Sequence, residues 1–268
     1  MNSYLIILSI ILLSSFFIGL NTQGLSENIV TSKTSAPMAE NDQTTDTAKM
    51  ANQKLSTTQK PISVSQKKLN FFNMMMPYIK VANAEVLEQR KQLLVLQQQT
   101  SFSSNDLEFL NKMAKTYRAK ESNDPQKVIK QLLFKVNTIP PSLILAQAAN
   151  ESAWGTSRFA KEANNYFGQW CFSKGCGIVP ANRNAGAKHE VAKFDSALGS
   201  VKSYIKNLNR HFGYQDLRQL RQNAIDNNQP YSGITLAPGL IRYSERGEEY
   251  VKEITAMIRY NKLEQYDK

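Results

Sequence analysis

The chain has 268 residues, with 33 Lys and Arg against 22 Asp and Glu, which gives a formal net charge of +11. The length suits one medium domain with appendages. Two cysteines and two histidines are a poor ligand set for a structural or catalytic zinc site, and the five-residue separation of Cys171 and Cys176 does not match the CxxC spacing of redox centres.

The N-terminal twenty residues carry no charged side chain, and Tyr4 to Leu20 form a largely apolar run of seventeen. This run is longer than most signal-peptide cores and slightly short for a full membrane span. No Lys or Arg precedes it and no good cleavage site follows it, so residues 1–20 are predicted to be a membrane anchor, with a cleaved signal segment as the alternative. We therefore expect an exported, periplasmic protein, anchored to the inner membrane by this segment.

Residues 21–65 contain no aromatic side chain and balance four acidic with four basic residues. Such a segment cannot bury enough apolar surface to offset its ordering entropy, so it is predicted to be a disordered tether. The net charge then belongs to residues 66–268. A basic domain outside the cytoplasm indicates an anionic polymer as partner, with a solvated basic surface as the alternative. No nucleic acid partner is expected, because the basic residues are scattered along helices and no familiar motif is present.

Amphipathic helices are predicted over most of the remaining chain, at 84–99, 103–120, 124–136, 194–212 and 245–263. Asn105, Asp124 and Asp195 are the expected N-caps of three of them. Residues 171–195 lack helical periodicity and carry turn residues, so a small β-hairpin lobe is predicted there. The fold class is therefore mainly α, a helical domain with a small β-hairpin lobe.

Cys171 and Cys176 lie in the segment WCFSKGCG. In an exported protein a local disulfide is the preferred interpretation, and two free thiols are the alternative. A loop this short gains little from chain entropy, so the bond would contribute local rigidity. We expect no metal and no cofactor.

A nearly all-apolar helix is predicted from Pro141 to about Ala153, in the segment PSLILAQAANESA. The exceptions form one stripe with the tryptophan that follows, spaced i, i+3, i+4 and i+7: Gln147, Asn150, Glu151 and Trp154. A buried, unpaired carboxylate costs several kcal/mol, so the stripe is expected to face a cleft. A Glu that closes a structural salt bridge is the alternative.

Two effects are expected to raise the pKa of Glu151. The residue lies near the negative end of the helix dipole, and the neighbouring Trp154 can remove water from it. A carboxyl group that stays protonated at neutral pH can donate its proton to a leaving glycosidic oxygen. Glu151 is therefore the candidate catalytic acid.

The segment AANESAWGTSRFAKEANNYFGQWCF resembles the Bax-type proteins of the bacterial peptidoglycan glucosaminidases, glycoside hydrolase family 73. The resemblance rests on A-x-E-S-x-W-G, S-x-x-A and N-N-x-F-G, at residues 149–155, 157–160 and 164–168, and extends from about residue 66 to YSERGEEYVKEI. It implies a lysozyme-like fold and hydrolysis of the β-1,4 bond after N-acetylglucosamine in peptidoglycan glycan strands, with Glu151 as general acid.

The resemblance and the stripe together give the candidate substrate-binding residues: Gln147, Trp154, Asn164, Asn165, Phe167 and Tyr250. For Phe167 and Tyr250 a core position is the alternative, and for the N-N-x-F-G segment a tight turn with Gly168 at positive φ.

Glu190, in AKHEVAKFD, is the candidate second catalytic carboxylate, because some relatives carry a Glu in the small β lobe. As a base for water it would give inversion, with the carboxyl groups roughly 6.5–9.5 Å apart. A distant or mobile Glu190 would indicate assistance by the 2-acetamido group of the substrate, or arrival of Glu190 on substrate binding.

Four other functions compete with glycan hydrolysis. A lytic transglycosylase shares the E-S-x-W-G neighbourhood and needs one acid, and a non-catalytic wall-binding protein needs none. A cysteine peptidase would use Cys171 or Cys176 with His189 or His211, although the sequence offers no clear orienting group. A zinc amidase would need more ligands than two separated histidines supply. The preferred expectation is a monomeric hydrolase of glycan strands.

Overall fold

The computed structural model describes residues 63–181, 183 and 186–268. The predicted anchor or signal segment, 1–20, and residues 21–62 of the predicted tether lie outside the described residues. Within those ranges no helix combines the length and the apolar character that crossing a membrane requires. The described residues form nine α-helices, three short 3-10 helices and one three-stranded sheet. This confirms the prediction of a mainly α fold with a small β lobe.

The helices are, in chain order, α1 Val64–Gln97, α2 Ser104–Tyr117, α3 Pro125–Lys135, α4 Pro141–Ser152, α5 Arg158–Ala163, α6 Ala197–Arg210, α7 Gln215–Asp226, α8 Gly233–Leu236 and α9 Glu248–Tyr260. The 3-10 helices are Phe212–Tyr214, Ala237–Leu240 and Leu263–Tyr266. Helix α1 is continuous through Pro77, so the helix predicted at 84–99 is the second half of a longer one. It packs against α3, α4 and α6.

Two of the three predicted helix caps are wrong by one or two residues. Ser103 caps α2 in place of Asn105, and Ser196 caps α6 in place of Asp195. In both cases the serine hydroxyl accepts a hydrogen bond from the backbone amide three residues further on, at 3.3 Å and 3.2 Å. The cap predicted at Asp124 is confirmed. Serine was available at each corrected position and satisfies a free amide of the first turn.

The predicted hairpin lobe is a three-stranded antiparallel sheet, in which β3 lies between β1 and β2. The strands are β1 Trp170–Cys171, β2 Gly177–Ile178 and β3 Glu190–Ala192, with Cys171 opposite Glu190 and Ile178 opposite Val191. The predicted disulfide between Cys171 and Cys176 is confirmed. It closes the connection from β1 to the start of β2, and so fixes the spacing of the two outer strands.

Helix α4 runs through the centre of the core, in contact with α1, α8, α9 and the last 3-10 helix. Its apolar residues Leu143, Ile144 and Leu145 are completely buried. The start of the helix is fixed by Asp267, whose carboxylate accepts hydrogen bonds from the Ser142 amide at 2.8 Å and the Ser142 hydroxyl at 2.6 Å. A buried helix with a fixed start gives its last turn a defined position.

Candidate active site

Glu151 lies in the last turn of α4, where the helix reaches the edge of the core. Along the predicted stripe, Gln147 is completely buried, whereas Asn150 and Glu151 are partly exposed. The stripe therefore leads from the interior toward the surface, and its outer end carries the acid.

The backbone after α4 reverses through three consecutive residues at positive φ: Ala153 at 49°, Trp154 at 60° and Gly155 at 75°. Left-handed conformations are unfavourable for residues other than glycine, so this turn stores strain. The Ser152 hydroxyl holds it by donating to the Ala148 carbonyl at 2.6 Å and accepting from the Gly155 amide at 2.8 Å. These bonds fix the backbone that carries the acid.

A chain of hydrogen bonds between buried side chains ends on the acid. The Tyr204 hydroxyl donates to Gln147 Oε1, and Gln147 Nε2 donates to the Tyr250 hydroxyl at 2.9 Å. The Tyr250 hydroxyl in turn donates to Glu151 Oε1 at 2.8 Å. Gln147 and Tyr250, both predicted to bind substrate, are completely buried, so the structure places them behind the carboxyl group, where they hold its orientation.

Burial raises the pKa of Glu151 from an ordinary 4.5 to about 7. Hydrogen bonds from Tyr250 and Asn150 oppose this rise, because they favour the ionised carboxylate. The Glu253 carboxylate raises the pKa and the Arg246 guanidinium lowers it, and these two groups pair with each other at 2.7 Å. In the part of the chain that the structure describes, no ion pair includes Glu151. The carboxyl group therefore titrates near neutral pH without a basic partner.

The turn after α5 passes close to the acid. A Cβ atom added at Gly168, whose φ is +62°, would lie 3.7 Å from Glu151 Oε2. The preceding residue, Phe167, stacks on Tyr204 with 4.1 Å between ring centroids, and its carbonyl accepts from the Tyr243 hydroxyl at 2.9 Å. Phe167 is buried, so it supports this turn from within the core, while Gly168 lies beside the carboxyl group.

Asn164 and Asn165 shape the same turn through bonds to the protein. Asn164 ends α5 at a φ of 50°, and its side chain donates to the Phe194 carbonyl at 3.0 Å. The buried Asn165 side chain donates to the carbonyls of Gln169 and Ala192, each at 2.8 Å. Both side chains therefore connect the turn to the sheet region through their amide nitrogens.

Trp154 does not continue the stripe, because α4 ends before it and the left-handed turn carries its side chain toward α1. Its ring lies 5.9 Å from that of Phe71 and 5.4 Å from that of Phe72, between centroids. The Lys68 ammonium group lies 4.8 Å from the centroid of the Trp154 ring. The tryptophan therefore joins the aromatic contacts between α1 and the end of α4.

Glu190 lies in the β lobe with both carboxylate oxygens bonded. Oε1 accepts from the Gly175 amide at 3.0 Å and Oε2 from the Gly177 amide at 2.8 Å, and the residue is only 6% exposed. These two amides hold the pKa of Glu190 below its usual value. Within the described residues no hydrogen bond or ion pair joins Glu190 to Glu151. Its predicted catalytic role stays a prediction.

The disulfide removes the nucleophile that a cysteine peptidase would need, since neither cysteine of the chain is free. The two histidines lie apart: His189 stacks on Trp170 with 4.1 Å between ring centroids, and His211 accepts from the Gly213 amide at 3.2 Å. The peptidase interpretation is therefore wrong.

Two tyrosines of the site are not distinguished by the sequence patterns. Tyr204 lies within the helix predicted at 194–212, and Tyr243 lies just before the helix predicted at 245–263. A tyrosine on an otherwise aliphatic inward face is a usable signal, because a buried phenol hydroxyl needs a hydrogen-bond partner. For Tyr204 that partner is Gln147, which is connected to Glu151 by two hydrogen bonds through the Tyr250 hydroxyl.

Comparison with known proteins agrees with this geometry. A family model described as mannosyl-glycoprotein endo-beta-N-acetylglucosaminidase matches residues 129–263, a range that includes the hydrogen-bond chain and the β lobe. Protein bax of Escherichia coli (strain K12) is 32% identical over 200 residues, which are 74% of this chain and 71% of that protein. No solved structure shows significant similarity to the chain.

Proposed function

The chain belongs to the glucosaminidase family, and on this premise we propose that it is a peptidoglycan hydrolase of the Bax type, an endo-β-N-acetylglucosaminidase of glycoside hydrolase family 73. It cleaves the β-1,4 bond after N-acetylglucosamine, with Glu151 as the general acid. Its partners are the glycan strands of the wall, and it works as a monomer without metal or cofactor.

One observation carries the proposal: a carboxyl group with a pKa of about 7 at the partly exposed end of a buried hydrogen-bond chain. Near neutral pH about half of such groups hold a proton, which is the form that protonates a leaving glycosidic oxygen. Oε1 accepts from the Tyr250 hydroxyl and is contacted by the Asn150 amide, whereas among the described residues no group donates to Oε2, so Oε2 is the oxygen available to substrate.

A lytic transglycosylase is the second candidate, and the geometry of Glu190 supports it. Both oxygens of Glu190 are bonded to backbone amides of its own lobe, which leaves Glu151 as the sole carboxyl group of the site as we propose it. One acid suffices for a reaction in which the sugar's own hydroxyl attacks. It also suffices for hydrolysis assisted by the 2-acetamido group, which is the hydrolytic mechanism that we propose.

A digest of peptidoglycan tests the proposal. The full chain is incubated with wall glycan, the products are reduced with borohydride, and the new chain ends are identified by mass spectrometry. Reduced N-acetylglucosamine ends are the expected result. Reduced muramic acid ends would identify a muramidase, anhydro ends a transglycosylase, and the absence of new ends a wall-binding protein; each contradicts the proposal.

A peptidoglycan hydrolase must act outside the cytoplasm, where its substrate lies. We propose that the chain is exported to the periplasm and held at the inner membrane by residues 1–20, with the remaining residues reaching the wall. The disulfide supports this, because such bonds persist in oxidising compartments. The net charge of +11 favours association with an anionic wall polymer.

Replacement of Tyr250 by Phe tests how the acid is tuned. The Tyr250 hydrogen bond lowers the pKa of Glu151, so its loss leaves the effect of burial less opposed. Activity that requires the protonated acid falls as the pH rises through about 7, and in Tyr250→Phe this fall is expected at a higher pH. The measurement is kcat/KM for glycan hydrolysis between pH 5 and 9.

Tyr117→Phe is the matched control for this shift. It also removes one hydrogen bond of a buried phenol, from the Tyr117 hydroxyl to Gln89 Oε1 at 2.6 Å. This bond joins α2 to α1 and does not involve the acid. Its pH profile is expected to match the wild type. A downward shift in Tyr250→Phe, or the same shift in both variants, would contradict the assigned role of Tyr250.

Glu190→Ala separates a structural from a chemical role of the second carboxylate. Loss of its bonds to Gly175 and Gly177 is expected to loosen the β1–β2 connection and to lower both the melting temperature and the rate. Added azide restores the rate of a variant that has lost a catalytic base or nucleophile. We expect no rescue here; recovery in azide would show that Glu190 takes part in the chemistry.

A further inference from the structure

A surface pocket of about 330 Å³ lies between the first turns of α1 and the last turns of α9. It is lined by Lys68, Trp154, Glu253, Ala256, Met257, Tyr260 and Asn261. The rings of Trp154 and Tyr260 and the side chains of Ala256 and Met257 give it an apolar surface, and Lys68, Glu253 and Asn261 add three polar groups. Concave sites that combine aromatic surface with a few polar groups are typical of ligand binding.

The polar groups of the pocket are held in specific places. The Lys68 ammonium group lies 4.8 Å from the centroid of the Trp154 ring and 4.9 Å from that of Tyr260, and it contacts Asn261 Oδ1 at 3.5 Å. Within residues 63–181, 183 and 186–268, Lys68 pairs with no carboxylate, whereas Glu253 is paired with Arg246. Two aromatic faces stabilise the lysine cation and leave it able to bind an anion.

The pocket lies near the candidate active site, since Glu253, one of its lining residues, is close enough to Glu151 to raise its pKa. Trp154 follows Glu151 by three residues, and Glu253 lies one helical turn after Tyr250, which bonds to Glu151. Along α9 the pocket extends to Tyr260, about 15 Å beyond Tyr250 at 1.5 Å per residue. A polymer that lies over the acid can therefore continue into the pocket with units remote from the cleaved bond.

The chemistry of the lining selects among polymers. The apolar face of a sugar ring packs on exposed aromatic rings, and the Lys68 ammonium can pair with a carboxylate. Asn261 donates to the Met257 carbonyl at 2.9 Å, which leaves the second proton of its amide group for an acetamido oxygen. Lys68 lies on α1, outside the residues 129–263 that the family model matches. The pocket is thus a combination of the shared domain with a helix that precedes it.

We propose that this pocket is a second glycan subsite, which binds a carboxylate-bearing N-acetylated sugar of the strand whose cleavage is proposed above. The inference rests on that proposed function for its substrate class. In this subsite Lys68 binds the carboxylate of a sugar that is remote from the scissile bond, and the ring of that sugar packs against Tyr260.

Binding, measured without turnover, tests the subsite. The full chain with Glu151→Gln is titrated with two probes: soluble wall glycan strands that carry the carboxylate-bearing sugar, and chito-oligosaccharides of equal length, which carry no carboxylate. Tyr260→Ala is expected to weaken binding of both probes by about three- to tenfold, because it removes an aromatic face. Lys68→Gln is expected to weaken binding of the acidic strand by a similar factor and to leave the neutral one nearly unchanged.

Phe212→Ala is the matched control, since both rings are largely exposed, Phe212 to 66% and Tyr260 to 80%, but Phe212 lies in the 3-10 helix after α6 and does not line the pocket. It is expected to bind both probes like its parent. Because Tyr260 is so exposed, its replacement leaves folding intact, and melting curves verify this.

Unchanged binding of the acidic strand by Tyr260→Ala would overturn the subsite, and equal losses for the two probes with Lys68→Gln would overturn its selectivity. The digest reports separately on the proposed function. If the variants bind as expected but the digest gives no new reducing ends, the subsite is supported and the hydrolase function is contradicted. If the digest gives the expected ends but Tyr260→Ala and Lys68→Gln bind like their parent, the hydrolase function is supported and the subsite is contradicted.

Discussion

Replacement of Glu151 by Gln is expected to lower the rate of glycan cleavage by about 10²–10⁴-fold, the usual contribution of a general acid. The amide is close in size to the carboxyl group and can still accept the Tyr250 hydrogen bond, but it has no proton to donate at the leaving oxygen. The measurement is the rate of new reducing ends at pH 6, with Glu162→Gln, at an exposed carboxylate of α5, as the control for the loss of a charge.

The same variant is expected to be more stable than the wild type at alkaline pH. The pKa of Glu151 is higher in the folded chain, about 7, than the ordinary 4.5, so the folded state binds the proton more tightly. In the wild type the contribution of Glu151 to the free energy of unfolding is therefore largest below pH 4.5, and it is lost as the pH rises through about 7. The uncharged amide escapes this loss, which is about 1–3 kcal/mol.

Melting curves of both proteins at pH 5 and pH 8.5 check this result. The two should melt together at the acidic pH and separate at the alkaline pH, with Glu151→Gln the higher. Equal rates of new reducing ends from the two proteins would eliminate Glu151 as the acid. A variant that is inactive yet gains no stability at pH 8.5 would show instead that the raised pKa does not exist.

The position of the acid could be predicted because it depends on local rules. An apolar helix that Pro141 opens must be buried, and a polar group at its far end must either find a partner or reach water. Burial raises the pKa of Glu151, as expected from the sequence. Trp154 does not share a face with Glu151, because the chain leaves the helix and enters a left-handed turn at Ala153. The sequence A-W-G does not predict this turn, since only its last residue is a glycine.

The partners of the acid could not be predicted, because they come from distant parts of the chain. Tyr250 is 99 residues and Tyr204 is 53 residues away from Glu151 in sequence, and helical spacing places either of them equally well in an ordinary core. The third strand of the β lobe could not be predicted for a similar reason. Strands of two or three residues are too short for a periodic pattern, and β3 pairs with β1 and β2, whose paired residues lie up to 21 positions away from it in sequence.

Arg221 shows how far the support of the site extends beyond sequence patterns. It is almost completely buried in α7, and its guanidinium group donates to the carbonyls of Phe134 and Lys135 at the end of α3, to two carbonyls of the connection to α4, and to Asn209 Oδ1 at 2.8 Å. Burial lowers its pKa to about 9, which still leaves it charged at neutral pH. The group therefore binds the negative end of one helix and fixes the segment from which α4 begins.

Arg221→Met is expected to lower the free energy of unfolding by about 3–5 kcal/mol, because it leaves several buried carbonyl groups without a donor. The melting temperature should fall by on the order of 10 °C in thermal or denaturant unfolding of the full chain. Arg221→Lys should recover only a minor part, since one ammonium group cannot span carbonyls on two segments. Arg242→Met, at an exposed arginine, should stay within about 0.5 kcal/mol of the wild type. If Arg221→Met and Arg242→Met cost the same, the guanidinium group does not hold the start of α4, and the position of the acid must depend on Asp267 and the core alone.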